Sequence, residues 1–287
     1  MHILGLLDFI LNLAGLLLWL NWRAIRFDPF ARPVPSTFSG TIRRAEPTRL
    51  RRWHFLAALA ALLLVRSVLY WQVGPALRWV PTVDLVFVAP AFGGNYFAVL
   101  LFSAISFLQA LVVFYFWLLF LAVVNRRSVE GDPFQKMIQL QLGRLARLAW
   151  PGQLILPLLG VAALWMLAHP LLVRVGVMNP TRTMAVLGEQ GLLIGAGLVL
   201  SLKYLLPLFL LVHSVATYVY LGNHPVWEFV SRTARKILTP LNRLPLRLGK
   251  MDFAPLVGTA LVLLILHFLP EWIRSQMIRR GLSVWPQ

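Results

Sequence analysis

Residues 223–267 read NHPVWEFVSRTARKILTPLNRLPLRLGKMDFAPLVGTALVLLILH, the order of a chain that lies along a membrane surface and then enters the bilayer. Pro225 opens a helix, because a first-turn proline gives up only an N–H that has no intrahelical partner. From there Val226, Val230, Thr233 with Ala234, Ile237, Leu238 and Leu241 recur at three- and four-residue spacing. Glu228, Arg232, Arg235 and Lys236 take the opposite side, so the pattern predicts an interfacial amphipathic helix. Pro240 and Pro245 end it, Gly249 permits the turn, Asp252 is placed to cap the next helix, and Pro255 falls in that helix's tolerant first turn.

The composition extends that reading to the whole chain. Of 287 residues, 59% are apolar and only 13% charged, too little polar surface to enclose a soluble core. At about 20 residues per span, sufficiently long apolar windows fall at 3–20, 53–77, 97–124, 153–173, 190–221 and 253–273. The expected fold is therefore all-α, a polytopic helical membrane protein with six spans. The first window has no basic residue ahead of its apolar stretch, carries Asp8 and lacks a small-x-small cleavage site, so it is expected to stay as a helix rather than to act as a secretory signal.

Orientation follows from where the +17 net charge sits. Segments 21–52, 125–150 and 222–252 hold eight, five and six basic residues, nineteen in all, whereas the alternate loops hold only Arg78, Arg174 and Arg182. This places the three basic loops in the cytoplasm and both termini outside; Arg274, Arg279 and Arg280 after the last span run mildly against it. Charges beside spans have the anionic leaflet as their nearest partner. Membrane lipid is the expected partner and nucleic acid is not. With no cysteine in the chain, disulfides and thiolate metal sites are excluded.

Taken in order, span one ends in Trp19 and Trp22, and the arginine- and proline-rich stretch 23–52 follows as irregular structure. Span two leads to an outer loop over 74–96 that closes on a tight turn at Gly93 and Gly94. After span three, Asp132 and Pro133 start a second amphipathic helix, with Phe134, Met137, Ile138, Leu142, Leu145 and Leu148 on one face. The grammar of span, proline-led basic helix, break and span thus occurs twice. A third copy is hinted at by Asn21 and Asp28-Pro29-Phe30, which repeat the spacing of Asn125 and Asp132-Pro133-Phe134. The expected units are an N-terminal hairpin over 1–96, a degenerate repeat over 97–186 and a better-matched repeat over 187–287.

Charges inside spans are functional candidates by default, and Asp8, Arg66 and Lys203 are the three to weigh. Asp8 shares a helix face with Asn12; it is either hydrated near the outer surface or turned toward other helices. Arg66 either snorkels to the outer headgroups or pairs with Asp8. Lys203 precedes Pro207 by one turn, where the missing N–H would free the Lys203 carbonyl and kink the helix; it either lines a cavity or lies near the outer end of a long span. Gly191, Gly195 and Gly197 suit close helix packing better than a ligand site. His169, His213 and His267 show no paired spacing for haem or metal, so no cofactor or metal is expected. No phosphate loop, nucleophile elbow or His-Glu-x-x-His element occurs, and an enzyme is not expected.

The stretch 225–266 resembles the YggT (YlmG-like) family of small bacterial and plastid membrane proteins. Pro225 stands for the family's leading proline, Pro240 and Arg243 for its proline–arginine element, and Gly249, Asp252, Phe253 and Pro255 for its descent into the membrane. The chain departs at Asn242, Lys250 and Ala254, where the family has arginine, glycine and serine, and residues 1–77 are extra. The resemblance implies a role in envelope organisation, in a cell-division or osmotic-tolerance context, or in complex assembly and cofactor attachment. The function expected is thus a non-enzymatic scaffold of the bacterial inner membrane that binds anionic lipid and a division or assembly protein through Arg232, Arg235, Lys236, Arg243, Arg247 and Lys250. The rivals are a small-solute or ion channel or transporter using the intramembrane charges, and a haem-handling factor using His213.

Overall fold

The computed structural model describes residues 3–23, 52–77, 79–126, 133–181, 183–219, 224–239, 241, 247–248 and 251–279. Nine α-helices occur among these residues: α1 (Ile3–Arg23), α2 (Arg52–Ala76), α3 (Tyr96–Val124), α4 (Pro133–Leu142), α5 (Trp150–Arg174), α6 (Met184–Leu200), α7 (Leu202–Tyr218), α8 (Pro225–Ile237) and α9 (Ala254–Arg279). Six stretches are long and apolar enough to cross a membrane, with α6 and α7 counted as one stretch of 34 residues. The protein is an all-α polytopic membrane protein. Its outward faces carry the side chains a bilayer accepts, such as Leu167 at 78% exposure and Phe97 at 70%.

The helices pack in chain order: α1 lies against α2 and α3, α3 against α5, α5 against α6, and α7 against α8 and α9. Close approach in the α5–α6 pair depends on two glycines. A Cβ on Gly191 would stand 2.8 Å from the Ala162 carbonyl oxygen, and one on Gly195 only 2.5 Å from that of Leu158, as expected for a small-xxx-small stripe. Gly197, read as part of the same stripe, faces Leu85 and Val86 of a loop rather than a helix.

Three local expectations change. The helix of the second connector stops at Leu142, because Gly143 takes a φ of 55°; the chain goes on as a 3₁₀ turn over Gly143–Arg147, which leaves Leu145 and Leu148 exposed. The Gln153 side chain donates to the carbonyls of Ala146 (2.9 Å) and Leu148 (3.1 Å), satisfying backbone groups that the shortened helix frees. In the fifth span the irregularity lies at Ser201, six residues before Pro207. The Ser201 N–H and Oγ both reach the Leu198 carbonyl (3.1 and 2.7 Å), a back-bond that competes with the α-helical ladder. Ahead of α9 the chain forms a short antiparallel pairing, Arg247 with Asp252 and Leu248 with Met251.

Residues 79–95 do more than cross between α2 and α3. They fold back as a hairpin held by a Thr82–Ala91 bridge and by the Val83 N–H donating to the Pro90 carbonyl (3.2 Å). Phe92 is 0% exposed and Val83 is buried among Tyr70, Phe102 and Trp165. Gln109 donates to the Asp84 carbonyl at 2.6 Å, which places the hairpin tip about 20 Å along α3 from Tyr96 at 1.5 Å per residue. Irregular backbone at that depth is tolerated only where protein or a polar cavity surrounds it.

Candidate functional site

Arg66 is 1% exposed and does not snorkel. Its Nη2 pairs with Asp8 Oδ1 and donates to Ser106 Oγ (2.8 Å), and its Nη1 donates to Asn12 Oδ1 (2.8 Å). Asp8 Oδ1 also accepts from the Tyr70 hydroxyl (3.2 Å), while Oδ2 accepts from Asn12 Nδ2 (3.3 Å) and Ser106 Oγ (3.2 Å). Four donors fill the carboxylate's acceptor sites, and the guanidinium plane lies 5.4 Å from the Phe102 ring centroid and 5.6 Å from that of Tyr70. Desolvating the pair is offset by these partners, although Arg66 Nε is buried without a hydrogen bond. The network joins α1, α2 and α3, with little capacity left for a ligand.

The two amphipathic connectors meet at the opposite end of the bundle from the 79–95 hairpin. The apolar side of α8 is turned onto protein: Phe229, Thr233 and Ala234 are buried, Phe229 lies 5.6 Å from the Phe134 ring of α4, and Leu238 covers Gly258 of α9. Asn125, the C-cap of α3 and 1% exposed, holds the junction. Its Nδ2 donates to Thr233 Oγ1 (2.8 Å), its Oδ1 accepts from Lys236 Nζ (3.3 Å), and its carbonyl accepts from Gln135 (3.4 Å). Asn21, the proposed counterpart in the first copy, instead donates to the Leu17 carbonyl of its own helix (2.9 Å).

The basic residues of α8 therefore differ in what remains open. Arg232 pairs with Glu228 one turn back, Lys236 is drawn in to Asn125, and Arg235 is exposed. Pro225 occupies the first turn of α8 with His224 as N-cap, and Pro255 is buried in the first turn of α9, whose Val257 N–H bonds the Phe253 carbonyl (3.0 Å). Pro240, Arg243, Gly249 and Lys250 lie outside the described residues, and of Arg247 and Asp252 only the backbone is described.

Lys203 stands at the start of α7, exposed, with Nζ 5.0 Å from the Tyr204 ring centroid. It lines a cavity of about 650 Å³ between the tip of the 79–95 hairpin and α9. His267 lines the same cavity, whereas His169 is buried against Trp165 and His213 is half-buried on α7. Among the described residues no three His, Asp or Glu side chains are grouped to hold a metal ion.

Three residues that matter here escape a sequence reading. Phe229, the buried anchor of α8, sits between a tryptophan–glutamate pair and a valine, and falls outside the stripe read from spacing. Ser106 is a small polar residue in an apolar helix, and Asn125, noted above only for its spacing to Asp132-Pro133-Phe134, stands at the polar end of its span; neither position tells from sequence which partner it meets. No family model, curated protein or solved structure matches the chain.

Proposed function

We propose that the protein is a non-enzymatic scaffold of the YggT type in the bacterial inner membrane, presenting its connector end to the cytoplasm with both termini on the other side. The observation that carries this reading is the joint platform of α4 and α8. Burial of Phe229, worth about 1.5–3 kcal/mol for a fully buried large apolar side chain, together with the Asn125 junction fixes α8 on the bundle. A helix that merely floats on lipid needs no such seat. With its apolar side occupied, α8 offers Arg235 to anionic lipid or to an acidic partner, and the stretch from Arg243 to Lys250 adds further basic groups. The nineteen-to-three distribution of Lys and Arg between alternate loops supports the orientation. An assembly role, in cell division, osmotic tolerance or complex maturation, fits a basic platform seated on the bundle.

The test is photo-crosslinking in cells from a probe at Glu228 of the full chain. A defined protein adduct is expected, reduced when Arg235, Arg243, Arg247 and Lys250 are together replaced by glutamine. An adduct set that is the same with and without those charges rules the reading out.

A further inference from the structure

The cavity at Lys203 carries charge of both signs. The hairpin tip supplies Asp84, α7 supplies Lys203, and the last turns of α9 supply Glu271 and Arg274. All four are exposed, and among the described residues no ion pair joins any two of them. This contrasts with Arg66 and Asp8, which pair with each other. Charged groups beside apolar surface are costly unless compensated, and an entering group that carries both signs would compensate all four. The backbone is also held under strain: Val86, a β-branched residue on the cavity wall, has a φ of 71°, a conformation costing on the order of 1–3 kcal/mol and found preferentially at binding sites. Its N–H is bonded to Asp84 Oδ1 at 2.8 Å, and its side chain rests against Gly197.

The chemistry of the occupant follows from the lining. A plain anion would meet Asp84 and Glu271 as like charges, and a plain cation would meet Lys203 and Arg274. A dipolar ion meets all four favourably. The carboxylates accept hydrogen bonds and so suit a primary ammonium; a quaternary one is recognised by open aromatic faces, and the nearby Tyr204 ring is already covered by Lys203. Lysine and arginine suit a phosphate. The remaining wall is apolar and continues to the bilayer side through Leu264 and Phe268, which are 59% and 55% exposed. Trp272, one residue beyond Glu271, is 60% exposed and carries the amphipathic ring that membrane interfaces favour.

We infer that this cavity binds a phosphoethanolamine group, its phosphate on Lys203 and Arg274 and its ammonium on Asp84 and Glu271, with the acyl chains of a diacyl lipid along Leu264 and Phe268. The volume lies inside the roughly 300–1,000 Å³ of small-molecule sites. The inference rests on the cavity alone and is independent of what the α4–α8 platform binds.

Native mass spectrometry of the full chain in detergent tests it, with dihexanoyl phosphatidylethanolamine, phosphatidylcholine and phosphatidylglycerol and free O-phosphoethanolamine as probes. The ethanolamine lipid is expected to be retained at about tenfold lower concentration than the other two lipids, a discrimination of about 1.4 kcal/mol. K203Q/E271Q should abolish the preference. Leu264→Trp, which keeps all four charges and fills the cavity, should weaken retention of the same lipid. Free O-phosphoethanolamine binding as tightly as the lipid would support the site and assign it a soluble ligand. Equal retention of the three lipids, or a preference that survives both variants, overturns the inference.

Discussion

A carboxylate with four donors and an arginine set beside two adjoining rings behave as one unit, so Asp8 and Arg66 cannot be altered independently. Asp8→Ala leaves Arg66 charged, buried and short of its partner, and is expected to cost about 3–5 kcal/mol. Replacing both together, as D8L/R66M, removes the charges along with the need to pair them and should recover most of that loss. Unfolding in mixed micelles of detergent and sodium dodecyl sulfate measures both; a double variant as damaged as the single one would show that the network contributes more than mutual neutralisation. The same reasoning separates Lys203, which has no carboxylate partner among the described residues. Sequence alone left Asp8 and Arg66 between hydration and pairing, because four of the groups that decide the matter, Arg66, Tyr70, Ser106 and Asp8, come from three helices.

At the level of elements, α8 combines two jobs on opposite faces, and they should separate by mutation. Phe229→Ala removes the anchor between Phe134 and Phe209 and is expected to destabilise by about 3–5 kcal/mol, with faster proteolysis at residues 224–239 as the connector lifts. Arg235→Gln alters an exposed side chain, and its effect on stability should stay within about 0.5 kcal/mol while partner or lipid binding falls. Thermal melts and timed protease digests read the two outcomes. The helical period, the proline start and the basic face of α8 were legible from spacing. The identity of the buried anchor was not, since periodicity marks a side of a helix and leaves open which neighbour fills the space opposite. Likewise the apolar period runs past the end of α4, continuing through Gly143 although the backbone there turns left-handed.

For the whole molecule, one span separates α4 from the 79–95 hairpin and three separate α8 from it, and these odd numbers of crossings put both connectors opposite the hairpin. Single-cysteine variants are free of background in a chain without cysteine. Arg235→Cys and Asn179→Cys, both at exposed positions, are expected to react with a membrane-impermeant maleimide from opposite sides, Asn179→Cys in intact spheroplasts and Arg235→Cys only after lysis. Labelling of both from one side would reject the six-span arrangement. The sequence by itself determined the fold class, the number of spans and the presence of two basic amphipathic connectors, because these depend on local hydropathy, period and proline chemistry, each read within one stretch of chain. Only the tertiary structure decided that Arg66 is paired with Asp8, that α8 rests on protein through Phe229, and that the 79–95 loop returns to membrane depth beside Lys203. Those outcomes depend on contacts between residues far apart in the chain, where the energy of burying a charge or a bare peptide group is set by whichever partner the packing brings within reach.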